Sequence, residues 1–260
     1  MARFCPLFSG SSGNCLYIGT STAGILIDAG VSARRIEQAL IAHEIDPKTI
    51  RAVFVTHEHS DHITGLRVLQ KRLHIPIYAS VGTCEGIAEA AAYDSDCLAI
   101  TDTVELDEFS VTPFRTSHDS RESTGFRICL RDGRSVGIAT DLGVMTSVVR
   151  EQLRGCDLIH IESNHDVRML ENGPYPYVLK RRILSTTGHL SNEACANELP
   201  ELIRQGTTRV FLGHLSRENN MPTLAEATAE SALKTSGMTR NIDYILQVAP
   251  PENDRPYTLF

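Results

Sequence analysis

Six consecutive residues, His57-Glu-His-Ser-Asp-His62, place three imidazoles and a carboxylate in one turn, directly after the apolar run Ala52 to Val55. That run is short, β-branched in part and preceded by Ile50 and Arg51, so it reads as a buried strand that delivers its C-terminal end to a ligand-rich loop. A chance His-rich surface loop is the alternative, but the order HxHxDH and the strand before it argue against that. Crowding these donors without a cation is costly, and nitrogen and oxygen donors of this kind suit a transition metal. Two histidines at i and i+2 can grip one ion while the Asp and His at i+4 and i+5 face another. The pattern therefore predicts two metals close enough to share a water.

A second ion needs further ligands. His118 follows the strand-like Ser110 to Phe114, Asp141 closes the run Ser135 to Thr140, and His214 closes Arg209 to Gly213. A lone His or Asp after a strand is more often a turn residue or a satisfied polar group. With the HxHxDH turn these make four positions at strand ends, which are not independent accidents, because loops converge there on a rigid base.

The rest of the chain is compatible with one domain spanning residues 1–260. Its 260 residues are 42% hydrophobic, enough to bury a large core, and no Pro/Ser-rich linker, short-period repeat or low-complexity segment divides them. Short apolar runs at Phe4 to Phe8, Leu16 to Ile18, Ile25 to Asp28, Ala52 to Val55 and Ile77 to Ala79 surround helical stretches at Ala33 to Ala42 and Ile63 to Leu73. A second block has strands near Val111 to Phe114, Thr124 to Leu130, Val136 to Thr140, Leu158 to Glu162, Val210 to Gly213 and Tyr244 to Val248. Its helices are expected at Thr146 to Leu153, Tyr177 to Leu184, Glu193 to Arg204 and Leu224 to Thr235. Two mixed blocks imply an α/β protein with two sheets face to face and helices outside.

No N-terminal signal pattern and no run of membrane-spanning length occurs, so a cytoplasmic protein is expected. The seven cysteines are odd in number, scattered and never in a CxxC pair, which fits reduced thiols, none of them a metal ligand.

HxHxDH, a later His, an Asp and a late His resemble the metallo-β-lactamase superfamily across nearly the whole chain. Ser9-Gly-Ser-Ser-Gly-Asn14, Thr140-Asp-Leu-Gly143, Glu162-Ser-Asn-His-Asp166, Gly188-His-Leu-Ser-Asn192 and His214-Leu-Ser-Arg-Glu-Asn-Asn220 resemble its YycJ/WalJ group more closely. The resemblance implies an αβ/βα sandwich. It also implies that His57, His59 and His118 bind one metal and Asp61, His62 and His214 the other, with Asp141 bridging. Donors of this type accept Zn, Mn or Fe, so the native ion is not fixed by them.

Such a centre retains positive charge and favours an anionic transition state, with a shared hydroxide as nucleophile. It supports thioester, β-lactam or phosphodiester hydrolysis alike, and outer residues must decide. His189 precedes a helix with Ser191 as its expected N-cap; a capping or packing role is the plain reading. In the phosphodiesterase branches of the family, tRNase Z and the β-CASP nucleases among them, a His in a similar place touches phosphate and protonates the leaving oxygen. Glu162, closing its strand, is the expected acid that orients it. Classical β-lactamases lack this GHLS element, which weighs toward phosphate esters.

Asp61 serves as a ligand and as an acceptor that orients the water. Asp28 is expected to bond the histidine loop. Ser12 and Asn14 belong to a small-residue loop that either presents N–H groups to phosphate or forms a tight turn, and His165 either lines the cleft or sits at a helix start. His43, His74 and His160 lack a partner motif and are assigned to surface or core. A net charge of −7 opposes a broad phosphate-binding surface, although Lys180, Arg181 and Arg182, with Arg168 and Arg121, leave room for a local patch or for ordinary solvated charge.

The expectation is a two-metal hydrolase acting on DNA as an exonuclease. The alternatives are a thioester or lactone hydrolase and a non-catalytic metal-binding regulatory module.

Overall fold

A computed structural model describes residues 1–91 and 96–260. The first half of the chain runs β1 (Arg3–Phe8), β2 (Cys15–Gly19), β3 (Gly24–Ile27), α1 (Ala33–Ala42), β4 (Ile50–Phe54), α2 (Ser60–Ile63), α3 (Leu66–Leu73), β5 (Ile77–Ala79), α4 (Val81–Ala91) and β6 (Cys97–Ala99). The second half runs β7 (Val104–Glu105), β8 (Phe109–Arg115), β9 (Thr124–Leu130), β10 (Ser135–Ala139), α5 (Ser147–Leu153), β11 (Leu158–Glu162), α6 (Val167–Asn172), α7 (Tyr177–Ile183), α8 (Asn192–Arg204), β12 (Arg209–Gly213), α9 (Pro222–Thr235), β13 (Ile245–Val248) and β14 (Thr258–Leu259).

Strand periodicity sorts these into four layers. In β3, Ile25 and Ile27 face the second sheet while Leu26 faces the helices; in β4, Ala52 and Phe54 point inward and Val53 outward. The inner layer joins those residues to Phe4, Phe126, Ile138, Leu158 and Phe211. One outer layer packs Ile36, Leu40, Leu66 and Leu69 on the first sheet, and the other packs Val149, Leu199, Leu202 and Leu233 on the second. Strands buried on both faces must be apolar throughout, which is why several read as continuous runs rather than alternating ones.

Among the described residues each sheet has seven strands, in the orders β14-β1-β2-β3-β4-β5-β6 and β13-β12-β11-β10-β9-β8-β7. Strands β3 to β6 are parallel, as are β10 to β13, and the remaining pairs are antiparallel. This is the expected αβ/βα sandwich. Parallel strands align their C-terminal ends, so the loops after β3, β4, β10, β11 and β12 gather at one edge.

Three differences from the sequence reading stand out. The helical run Ile63 to Leu73 divides at Thr64 and Gly65, where a Cβ on Gly65 would fall 2.1 Å from the Val31 carbonyl. Helix α4 was not expected, since the two glycines in VGTCEGIAEAA weaken both its propensity and its pattern. The reading of all seven cysteines as free thiols is corrected: Cys84 and Cys97 form a disulfide that ties α4 to β6, and the other five are free. Scattered spacing carries no pairing information, because the two sulfurs meet only through the fold. No helix among the described residues is long and apolar enough to cross a membrane.

Candidate metal centre

Strand ends carry the donors. His57 and His59 follow β4, with Asp61 and His62 in α2; His118 follows β8, Asp141 follows β10, and His214 follows β12. Asp141 and His214 adopt left-handed backbone conformations, φ 55° and 54°, as does Asp28 after β3 at 64°. A non-glycine residue pays strain for that conformation, and such strain concentrates where a side chain must be aimed.

The donors converge. His57, His59 and His118 bring ligand atoms within 4.8 Å of one another, and so do His57, His62 and Asp141. His57 Nε2 lies 3.0 Å from His59 Nδ1. Asp141 Oδ2 lies 3.4 Å from His62 Nε2 and 3.3 Å from His214 Nδ1, while its Oδ1 lies 3.8 Å from His118 Nε2, so this carboxylate sits between the two histidine groups. Asp61 Oδ2 is 3.5 Å from His62 Nε2. A further donor group joins Asp141 and His214 to Glu162 and His189.

The far sides of the His57, His62 and His118 rings are fixed by the surrounding chain. His62 Nδ1 donates to Asp28 Oδ2 at 2.7 Å, and His118 Nδ1 donates to the Gly188 carbonyl at 3.1 Å. Thr56 Oγ1 contacts both Asp28 oxygens and the Nδ1 atoms of His57 and His62. Each inward nitrogen is thereby left as the acceptor that a cation needs. Asp28 bonds the histidine loop as its position implied, through the Thr56 N–H at 2.8 Å.

Several inward atoms are buried without a hydrogen-bond partner: His118 Nε2, Asp141 Oδ2 and His214 Nδ1. Orphaned atoms of this kind, facing one another, fit a divalent cation, which would satisfy them together. The electrostatics agree. Burial and the neighbouring His62 push His57 well below the usual histidine range, and burial with His118 lowers His59, both favouring neutral ligands. Burial works against charge on His62 and Asp141 as well. Asp28 and Asp141 nevertheless hold His62 well above its ordinary value, and His214 and His62 hold Asp141 well below its own. Protons thus stand in for positive charge that the cluster demands.

Glu162 differs from the other acids. Its Oε1 accepts from His189 Nδ1 at 2.7 Å, and its Oε2 accepts from the backbone N–H groups of Leu142 at 2.9 Å and Leu190 at 3.2 Å. Both oxygens are engaged, so Glu162 orients a neighbour rather than offering itself as a ligand. Burial opposes charge on His189, but Glu162 and its bond push the imidazole up to about 9. Ser191 caps α8 by accepting from the Ala194 N–H, leaving His189 free of that task.

The remaining sequence candidates lie as follows. Asn14 is buried and turned toward the cluster: its Nδ2 lies 3.2 Å from His62 Nε2 and 3.4 Å from Asp61 Oδ2, and its Oδ1 accepts from the Gly10 N–H. Ser12 is exposed on the same loop. His165 is buried, with both ring nitrogens unpartnered and its pKa lowered to about 4 by burial. His43 and His160 are buried; His43 Nε2 meets the Asn253 carbonyl, and His160 packs against Phe4. His74 caps α3.

Sequence reasoning missed Thr56, Ser9 and Asp119. Ser9 Oγ accepts from the His214 N–H at 2.9 Å, and Asp119 Oδ1 lies 3.5 Å from His118 Nε2. Adjacency to HxHxDH marked Thr56; Ser9 opened the Ser9–Asn14 motif, but nothing local pointed it toward His214.

A family description, "Beta-lactamase superfamily domain", matches residues 24–215. The chain is 35% identical over 239 residues to the exodeoxyribonuclease YycJ of Bacillus anthracis, an alignment covering 90% of each. The chain belongs to the metallo-β-lactamase superfamily. This superfamily member is also 33% identical over 262 residues to the exodeoxyribonuclease WalJ of Streptococcus pneumoniae, covering 98% of this chain and 97% of that one. Its fold matches the metallo-β-lactamase fold protein YhfI of Bacillus subtilis with a TM-score of 0.72 at 15% identity, over 97% and 98% of the two chains. It is accordingly a hydrolase of that superfamily, with a donor cluster compatible with divalent metal.

Proposed function

We propose that this protein is a DNA exonuclease, a phosphodiesterase working with two divalent ions of zinc, manganese or iron. His57, His59 and His118 would hold one ion and Asp61, His62 and His214 the other, with Asp141 shared. The observation that carries the phosphodiester reading is the His189–Glu162 pair set beside the donor cluster, and the exodeoxyribonuclease names of the YycJ and WalJ relatives support it. Ions bound there supply Lewis acidity and bring the pKa of water toward neutrality.

The side chains do the rest. Asp61, with 24% of its side chain exposed, accepts a hydrogen bond from the attacking water and aligns it. His189 spends Nδ1 on Glu162, leaving Nε2 for the substrate; the Glu162 carboxylate favours its charged form, and it gives a proton to the departing oxygen. Glu162 fixes the ring and its tautomer. Asn14 steadies Asp61 and His62, and Ser12 stands on the exposed loop as a contact for substrate; His165, buried, is too enclosed for the substrate contact its sequence position suggested. That donors come from both sheets supports reading residues 1–260 as one domain, and a DNA substrate fits the cytoplasmic reading.

Protein reloaded with each ion and offered end-labelled single- and double-stranded DNA and RNA, beside an acyl thioester, tests the reading. Stepwise release of terminal nucleotides from DNA is expected. Thioester turnover without nucleic-acid cleavage would replace it with a small-molecule hydrolase, and stoichiometric metal without turnover would leave a binding module.

A further inference from the structure

Three consecutive cations, Lys180, Arg181 and Arg182, lie in α7 just before the turn that carries His189, and the structure separates them. Lys180 Nζ donates to the Glu171 carbonyl at 2.8 Å, and Arg181 lies over the Tyr177 ring at 6.0 Å. Both stay on their own surface. Arg182 instead forks onto the two oxygens of Asp119 through Nε and Nη2. Asp119 Oδ1 is in turn 3.5 Å from His118 Nε2, so the guanidinium stands one carboxylate away from an inward donor atom of the cluster.

Its base is held as firmly as its head. The Arg182 carbonyl accepts from the Ser185 N–H and hydroxyl, and a Cβ on Gly188 would fall 2.2 Å from that carbonyl oxygen. Arg182 and His189 are thus packed into one turn. The fork uses one edge of the guanidinium and leaves Nη1, with two N–H groups, unpartnered among the described residues. The side chain is 48% exposed.

Stability does not account for this arrangement, because an exposed ion pair contributes only about 0–1 kcal/mol. Recognition does. Asp61, Asp119 and Asp141 stand beside the histidine cluster in a chain of net charge −7, and a polyanion approaching it needs a fixed cation nearby. A planar, pre-oriented guanidinium is the side chain suited to phosphate oxygens.

We infer that Arg182, braced by Asp119, binds a second phosphate of the substrate, the one next to the phosphodiester being cut. The scissile phosphate belongs among the donor atoms; a cation set one carboxylate farther out meets its neighbour along the strand. This rests on the nuclease reading and narrows it: the substrate is an oligonucleotide with at least two phosphates, not an isolated diester.

The test compares wild type with Arg182→Met and Arg182→Lys. Affinity for a phosphorothioate oligodeoxynucleotide, which resists cleavage, is measured by fluorescence anisotropy across a salt series, and hydrolysis is followed on a dinucleotide carrying a terminal phosphate and on bis-p-nitrophenyl phosphate. Thermal unfolding confirms that the variants fold. Losing a charge-assisted contact weakens oligonucleotide binding roughly tenfold and lowers the slope of log K against log salt by about 0.7, the contribution of one single-strand phosphate. The loss on the dinucleotide exceeds the loss on the single-phosphate ester, and Arg182→Lys recovers part of the slope. An unchanged slope, or equal losses on both substrates, overturns the assignment of Arg182. Wild type that binds no oligonucleotide overturns the nuclease reading along with it.

Discussion

His189 Nδ1 lies 2.7 Å from Glu162 Oε1, and the other oxygen of that carboxylate is held by two backbone N–H groups. Glu162 is wholly buried while 16% of the His189 side chain is exposed, so the pair presents an imidazole outward from a fixed base. Replacing His189 with Ala should lower kcat on a phosphodiester by roughly 10²–10⁴ while metal content holds, as expected for loss of a general acid. Parallel kinetics and elemental analysis check this. Equal loss of metal and activity would make His189 a ligand.

The same pair sets a titration. In the metal-free protein the His189 imidazole should titrate near 9 by NMR, because the Glu162 charge and bond outweigh burial. Glu162→Gln removes the charge while keeping an acceptor oxygen, and should bring the pKa down. A folded-state value above the unfolded one of about 6.5 means that this pair contributes stability fully below pH 6.5 and loses it as pH rises through 9. Unfolding midpoints across that window should therefore decline in wild type more than in Glu162→Gln.

Asp28 makes no contact with the cleft, yet it fixes the His62 ring by the 2.7 Å bond to Nδ1. Asp28→Asn keeps the shape and loses the acceptor charge. Metal affinity should fall about 10–100-fold, read by competition with a coloured chelator, since outer partners of this kind tune their ligand. An unchanged affinity would show that Thr56 alone suffices.

Gly30 tests the packing beneath the ligand loop. A Cβ there would fall 1.7 Å from the Asp61 carbonyl oxygen and 2.5 Å from the Asn14 nitrogen, both backbone atoms that cannot swing aside. Gly30→Ala should destabilise the fold by about 3 kcal/mol, the upper range for overpacking, measured by urea unfolding.

The sequence made the donor set legible because its elements punctuate strands: HxHxDH after Ala52 to Val55, Asp141 after Ser135 to Thr140, and His214 after Arg209 to Gly213 all stand where a parallel strand ends. Strands Thr124–Leu130 and Leu158–Glu162 coincide with the expected spans, since apolar runs bounded by turns leave little choice. Contacts between distant loops were not legible. Ser9 reaches His214 and Asn14 reaches Asp61 across 205 and 47 residues, and no local pattern encodes either. The Cys84–Cys97 pairing and the split between α2 and α3 have the same origin, a constraint imposed by neighbours far along the chain.

The loop from Ser9 to Asn14 leaves the first sheet, bonds the Asp61 carbonyl through the Asn14 N–H and accepts the His214 N–H through Ser9. It is a polar latch between halves whose inner layers meet through apolar contacts, which are indifferent to small sliding movements, and it adds to other polar ties such as the Thr124 N–H bond to the Thr56 carbonyl and the Gly82 N–H bond to the Glu122 carboxylate. Cations drawn into the neighbouring cluster would rivet that latch shut, since their ligands come from both sides of the seam. Chelation should then loosen the seam before it melts either half, and amide exchange in the Ser9–Asn14 and His214–Asn220 segments would quicken first.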